Sequence, residues 1–147
     1  RAFVEAGGYA APSHWKQVFV RDGHTVSWAE AMSAFRDRTG QPGPSTWELG
    51  DYPAGRDNHP VSGVSWHEAA AYAEFAGKRL PTIYQWQKAA SPGWFAEPVG
   101  LGNFGSSGPR PVGARGAVGP FGAFDLAGKG ARQKSTLNRH TRKAACG

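Results

Sequence analysis

Cysteine is nearly absent from this chain. Its one cysteine, Cys146, leaves no partner for an internal disulfide and cannot by itself form a two-thiolate metal site. Long apolar runs are missing as well. No stretch approaches the roughly 20 consecutive apolar residues that cross a bilayer, so no membrane partner is expected. No charged-then-apolar leader is visible, and the chain opens on Arg1 and reads as an internal piece of a longer protein. The compartment stays open, with the cytoplasm favoured, and the oligomeric state is unspecified.

Acid is lacking in one region. Residues 1–128 carry eleven Lys or Arg and eleven Asp or Glu, and are therefore neutral. The last nineteen residues carry six cations and no acid: Lys129, Arg132, Lys134, Arg139, Arg142 and Lys143 account for the net charge of +6. A basic end of this kind attracts phosphates without reading sequence, so no specific nucleic-acid partner is expected. Composition favours a solvated, disordered tail over a binding arm.

Plentiful glycine (21) and proline (11), with six tryptophans, suit an irregular fold whose loops pack on aromatic anchors. One domain with a modest core fits 147 residues. Ser65 with Glu68 writes a capping box, and Trp66, Ala69, Ala70, Ala73 and Phe75 or Ala76 form the apolar face of a helix that Gly77 ends. Thr82 with Gln85 opens a second helix, with Ile83, Trp86, Ala89 and Ala90 on its buried side and Pro92-Gly93 as its stop. Ser27 with Glu30 makes a third box, leading a helix to about Arg38 that stops at Gly40. Phe3, Val4 and Ala6 before Gly7-Gly8 look like a glycine-closed helix end. Residues 15–20 suit a short strand before an Asp22-Gly23 turn. Residues 41–60, rich in proline and glycine, form a loop anchored by Trp47 and Tyr52, and 113–126 ends in an apolar finish.

Chemistry is sparse on spacing alone. His14, His24, His59 and His67 show no H-x-x-x-H pairing and no facial-triad carboxylate, and His67 is expected on the exposed side of its helix. Ser62 and Ser65 lack a G-x-S-x-G elbow. Lys78 and Arg79 either complement a helix end, pair with nearby acids, or meet an acidic ligand.

Several segments, in order, resemble the formylglycine-generating enzyme (sulfatase-modifying factor) family: AGGY at 6–9, HPVSGVSWHEAAAYAEFAGKRLPT at 59–82, TIYQWQKAA at 82–90, GPRPVG at 108–113 and GPFGAFDLAG at 119–128. The resemblance implies an α+β, irregular C-type-lectin-like fold, incomplete at the C-terminus, with a partial family domain at 1–128 and a basic non-family tail at 129–147. It also implies a module of a larger bacterial, multidomain protein, with a protein or peptide as substrate. The family includes copper-dependent oxidases that make formylglycine and the partner domains of iron sulfoxide synthases.

At the point where the family continues Asn-x-x-Glu-Trp, this chain has Lys129, Arg132 and Gln133, cations where a calcium ion would need oxygens. The copper cysteines and the closing glycine-rich strands have no counterpart, so the 147 residues lack complete oxidase machinery and are expected to expose apolar surface. No catalytic and no cofactor-binding residue is assigned. Asn103 and Asp125 are the candidate calcium donors that the resemblance offers, against readings as a turn former and a cap. A frameshift or a mispredicted coding end at 129 is expected. The alternative function is a non-catalytic lectin-like module that binds a ligand or a protein.

Overall fold

The computed structural model describes residues 1–90, 103, 108–114, 116, 118 and 121–126. The chain divides into two compact units, one formed by residues 1–57 with 61–80 and the other by 58–60 with 81–147. The first unit holds α1 (Ala2–Glu5), a 3-10 turn (Pro12–His14), strands β1 (Phe19–Arg21) and β2 (His24–Val26), α2 (Trp28–Ala34) and α3 (Trp66–Phe75). The second holds α4 (Ile83–Ala90). Helices with one small antiparallel sheet make an α+β architecture among the described residues.

Both ends of α3 follow from its sequence. Ser65 Oγ accepts the Glu68 N–H at 3.2 Å, and Glu68 Oε2 accepts the Ser65 N–H at 2.6 Å, completing the capping box. At the other end Gly77 has φ +64°, a conformation that favours glycine. Its N–H donates to the Glu74 carbonyl (3.0 Å) while the Lys78 N–H donates to the Ala73 carbonyl (2.8 Å), the paired bonds of a Schellman stop. The buried side matches the expected one at Ala73, and Phe75 packs on the core, but it differs elsewhere. Glu68, Ala71 and Ala73 are buried, with Ala71 the most so, while Trp66, Ala69 and Ala70 are half-buried and Ala76 is exposed. The core-facing stripe runs through a carboxylate, which a hydrophobic pattern reads as solvated.

The hairpin is set by a two-residue turn. Asp22 (φ 52°) and Gly23 (φ 83°) both take left-handed backbone, as a type I′ turn demands, and pair Phe19 with Val26 and Arg21 with His24. The strand expected over 15–20 is thereby confined to 19–21, and Trp15 enters the core instead. α2 carries half of the expected box: Ser27 Oγ accepts the Glu30 N–H, while the Glu30 carboxylate turns to Arg21 at 3.3 Å. It ends at Ala34, short of Arg38, because Phe35 leaves the helix to stack on Trp15 at 5.4 Å and 12°.

The core of this unit is Phe3, Tyr9, Trp15, Phe19, Ala31, Met32 and Ala71. α1 closes on glycine as expected, with the Gly7 and Gly8 N–H groups donating to Val4 and Phe3 carbonyls. The Phe3 ring fills the space that a Cβ on Gly8 would need, and Trp15 Nε1 donates to the Gly8 carbonyl at 2.9 Å. Trp47, 3% exposed, meets Tyr52 edge-on at 5.6 Å and anchors the 41–60 loop.

In the second unit Thr82 and Gln85 complete their capping box, with bonds of 3.2 and 2.9 Å. No side chain of α4 is fully buried; Trp86, Ala89 and Ala90 are half-buried and Ile83 is 36% exposed. The Val112 N–H donates to the Asn58 carbonyl (2.7 Å), and Val118 bridges Phe124. Phe121 and Phe124 are exposed. The expected tail at 129–147 and its frameshift origin lie outside the described residues.

Gly8→Ala should therefore lower unfolding free energy by about 1–3 kcal/mol through overpacking against Phe3, measured by urea denaturation. An unchanged midpoint would remove Gly8 from the core contact.

Candidate functional site

Among the described residues, Glu68 is the most deeply buried charged group, at 5% exposure. One carboxylate oxygen is taken by the start of its own helix. The other, Oε1, accepts the Tyr9 hydroxyl at 2.7 Å, tying α3 to the segment AGGY. Burial, then the Glu68 charge and this hydrogen bond, push the Tyr9 phenol far above its ordinary range, so it stays a donor.

Tyr9 and Glu68 lie at the side of a cleft of about 470 Å³ within the first unit. Phe3, Trp47, Val61, Val64, Tyr72 and Ala73 give it an apolar floor and mouth. The loop carrying Trp47 is fixed to the chain before α3: the Ser45 N–H donates to the Gly63 carbonyl (2.8 Å) and Thr46 Oγ1 to the Ser62 carbonyl (2.8 Å). Three cations border the cleft: Arg1, Lys78 and Arg79. Arg1 is engaged by Glu5 at 2.6 Å and Asp51 at 3.5 Å. Lys78 and Arg79 are exposed and pair with no acid among the described residues.

A second buried carboxylate shapes the irregular loop. Asp37 is 6% exposed; its Oδ1 accepts from the Thr39 N–H, Thr39 hydroxyl and Gln41 N–H, and its Oδ2 from the Gly50 N–H, at 2.8–3.0 Å. Burial alone would raise its pKa, but these donors outweigh burial and hold it at about 2.

The described histidines of the first unit meet different neighbours. His14 edges onto Phe3 and Phe75, and His24 is exposed on β2. His67 is half-buried, not exposed as expected: its ring lies 4.7 Å from Phe19, and its Nδ1 is buried with no partner among the described residues. Burial lowers its pKa. His59 is half-buried, with Nδ1 likewise buried without a partner among the described residues. Among the described residues no three His, Cys, Asp or Glu side chains form a metal-holding group.

Asn103 and Asp125, the two calcium candidates, each make a hydrogen bond within the second unit. Asn103 Nδ2 donates to the Gly108 carbonyl at 3.1 Å. Asp125, with φ 53°, accepts the Gly113 N–H on Oδ2 at 2.6 Å. Two such oxygens fall short of the about six to eight that calcium takes. Sequence reading missed the Tyr9–Glu68 link and the Asp37 knot. Glu68 was visible as a capping residue, but nothing local shows that its second oxygen meets Tyr9, 59 residues away.

A family model described as a sulfatase-modifying factor enzyme 1-like domain matches residues 1–129. The chain belongs to this family. Among sulfatase-modifying factor relatives, the formylglycine-generating enzyme of Thermomonospora curvata is 38% identical over a 107-position alignment covering 63% of this chain and 33% of that enzyme. The formylglycine-generating enzyme of Streptomyces coelicolor is 41% identical over 86 positions, covering 58% of this chain and 21% of its own length. Hercynine oxygenase of Mycobacterium tuberculosis is 35% identical over 97 positions, covering 60% of this chain and 20% of its own. The chain thus spans a third or less of the length of each of these relatives. No solved structure matches it. No helix among the described residues is long and apolar enough to cross a membrane.

His67 and Asp37 set an acid profile. His67, its folded pKa lowered by burial, resists protonation, so stability should begin to fall as pH drops below about 6.5, the ordinary imidazole value. Asp37 contributes fully above about pH 4, and its contribution is lost as pH falls towards its folded pKa of about 2. Urea denaturation from pH 7 to 2 should show both losses. Asp37→Asn should flatten the lower one, and His67→Phe the upper; unchanged slopes in these variants would refute the assignment.

Proposed function

We propose that residues 1–128 are part of a formylglycine-generating-enzyme-like module of a larger bacterial protein, acting on a cysteine-containing protein or peptide. The observation that carries this reading is the family match over 1–129, together with two bacterial relatives named formylglycine-generating enzyme. The fold proposed for the complete module is the irregular C-type-lectin-like one, which the short capped helices and tryptophan-anchored loop support.

Copper does not fit the residues at hand. A two-thiolate site needs a second cysteine, and the 147 residues contain Cys146 alone. Oxidase chemistry would therefore require parts of the parent protein other than this sequence. Asn103 and Asp125 are proposed as two oxygen donors for a calcium ion whose other ligands come from elsewhere in the module. Residues 129–147 are proposed to be a basic non-family segment created by a shifted reading frame.

The experiment is an assay of the parent protein on a cysteine-containing sulfatase peptide with copper and oxygen, followed by mass spectrometry of the aldehyde. Conversion by the parent and none by residues 1–147 is expected. An intact parent that lacks a cysteine pair and gives no aldehyde would defeat the oxidase reading. In the same preparation calcium should raise the thermal midpoint, and Asp125→Ala should abolish that rise. Sequencing the underlying DNA should reveal a second frame encoding Asn-x-x-Glu-Trp after Gly128; its absence would dismiss the shifted frame.

A further inference from the structure

The cleft beside α3 joins two features rarely left together on a surface. Its mouth exposes large apolar side chains, with Val61 45% and Tyr72 54% accessible. Its border carries Lys78 and Arg79, cations that pair with no acid among the described residues. The acid inside the cleft, Glu68, is already bonded through both oxygens to Tyr9 and Ser65. A ligand that matches this surface brings an apolar group to the floor and negative charge to the border.

The backbone narrows the ligand further. Residues 78–80 form no regular element, and the Arg79 and Leu80 N–H groups donate to no acceptor among the described residues. An N–H left without an acceptor beside an apolar cleft is available to a carbonyl of an extended peptide. A volume of about 470 Å³ accommodates a large side chain with part of its neighbours. The chain's own last nineteen residues, with six cations and no acid, are of the wrong sign for this border.

We infer that this cleft docks an extended acidic segment of a partner polypeptide, an apolar side chain seated among Phe3, Trp47 and Val64 and the adjacent carboxylates on Lys78 and Arg79. The inference goes beyond the formylglycine reading and does not depend on it, since it uses no cysteine and no metal.

The test uses the full 147-residue chain and N-acetyl-Phe-Glu-Asp amide as probe, with N-acetyl-Phe-Lys-Lys amide and N-acetyl-Gly-Glu-Asp amide as controls, by isothermal titration and NMR. The acidic aromatic peptide should bind, more weakly as salt rises, and both controls should bind at least about tenfold more weakly, the scale of one lost anchor. The double variant K78E/R79E, changed at exposed positions, should lose affinity for the acidic peptide by about tenfold or more and gain affinity for the basic one. Val61→Asp, at the mouth, should weaken the acidic peptide independently. Equal binding of all three peptides, no binding by the folded chain, or NMR contacts that place residues 91–147 in the cleft would overturn the inference.

Discussion

A single buried carboxylate holds the first unit together. Glu68 closes the start of α3 with one oxygen and receives Tyr9 with the other. Burying an anion is costly unless its lone pairs are filled, and here each oxygen has a donor within 2.7 Å. The helix terminus and the link to the N-terminal segment therefore share one residue. α3 cannot unwind at Ser65 without loosening the grip on Tyr9, and the aromatic group of Phe3, Tyr9 and Trp15 depends on that grip. Neither half of the bond network suffices alone, because an unfilled oxygen would leave a buried charge exposed to an apolar core.

Around this link the fold relies on aromatic rings more than on regular structure. Two rings share the centre: Trp15 lies within 6.4 Å of Phe3, Tyr9, Phe19 and Phe35 with its indole N–H bonded to Gly8, and Phe3 meets Tyr9, His14, Tyr72 and Phe75 besides. Such rings bury large area with few rotatable bonds, which suits a chain rich in glycine and proline that cannot form long helices. Trp47 plays the same part for the loop, next to Tyr52.

What was legible in the sequence was whatever is encoded locally. The boxes at Ser65 and Thr82, the glycine stops at Gly7 and Gly77, and the Asp22-Gly23 turn each involve residues within a few positions, and each is present. The family resemblance likewise rests on a contiguous run of motif residues, and the match over 1–129 bears it out. What failed was set by tertiary contacts. α2 stops early because Phe35 is claimed by Trp15, and the Glu30 carboxylate abandons its box for Arg21. The buried face of α3 is displaced because Glu68 faces the core, and the half-burial of His67 has no local signal because its contact with Phe19 crosses between elements. β2 offered little signal, since His24-Thr25-Val26 has one apolar residue and is a strand through its partner. The cleft, drawn from four separate stretches of chain, has no local signature at all.

The knot at Asp37 bears on how such a loop can diverge. Three of its four donors are main-chain N–H groups, those of Thr39, Gln41 and Gly50, which any residue but proline supplies. The side chain at Gln41 is thus released from maintaining the loop's path, whereas Gly50, with φ +76°, and Thr39, whose hydroxyl also donates to Asp37, are held to their identities. Drift on the outer face is therefore open at position 41 and closed at 39 and 50, while the central anion keeps the backbone on its course.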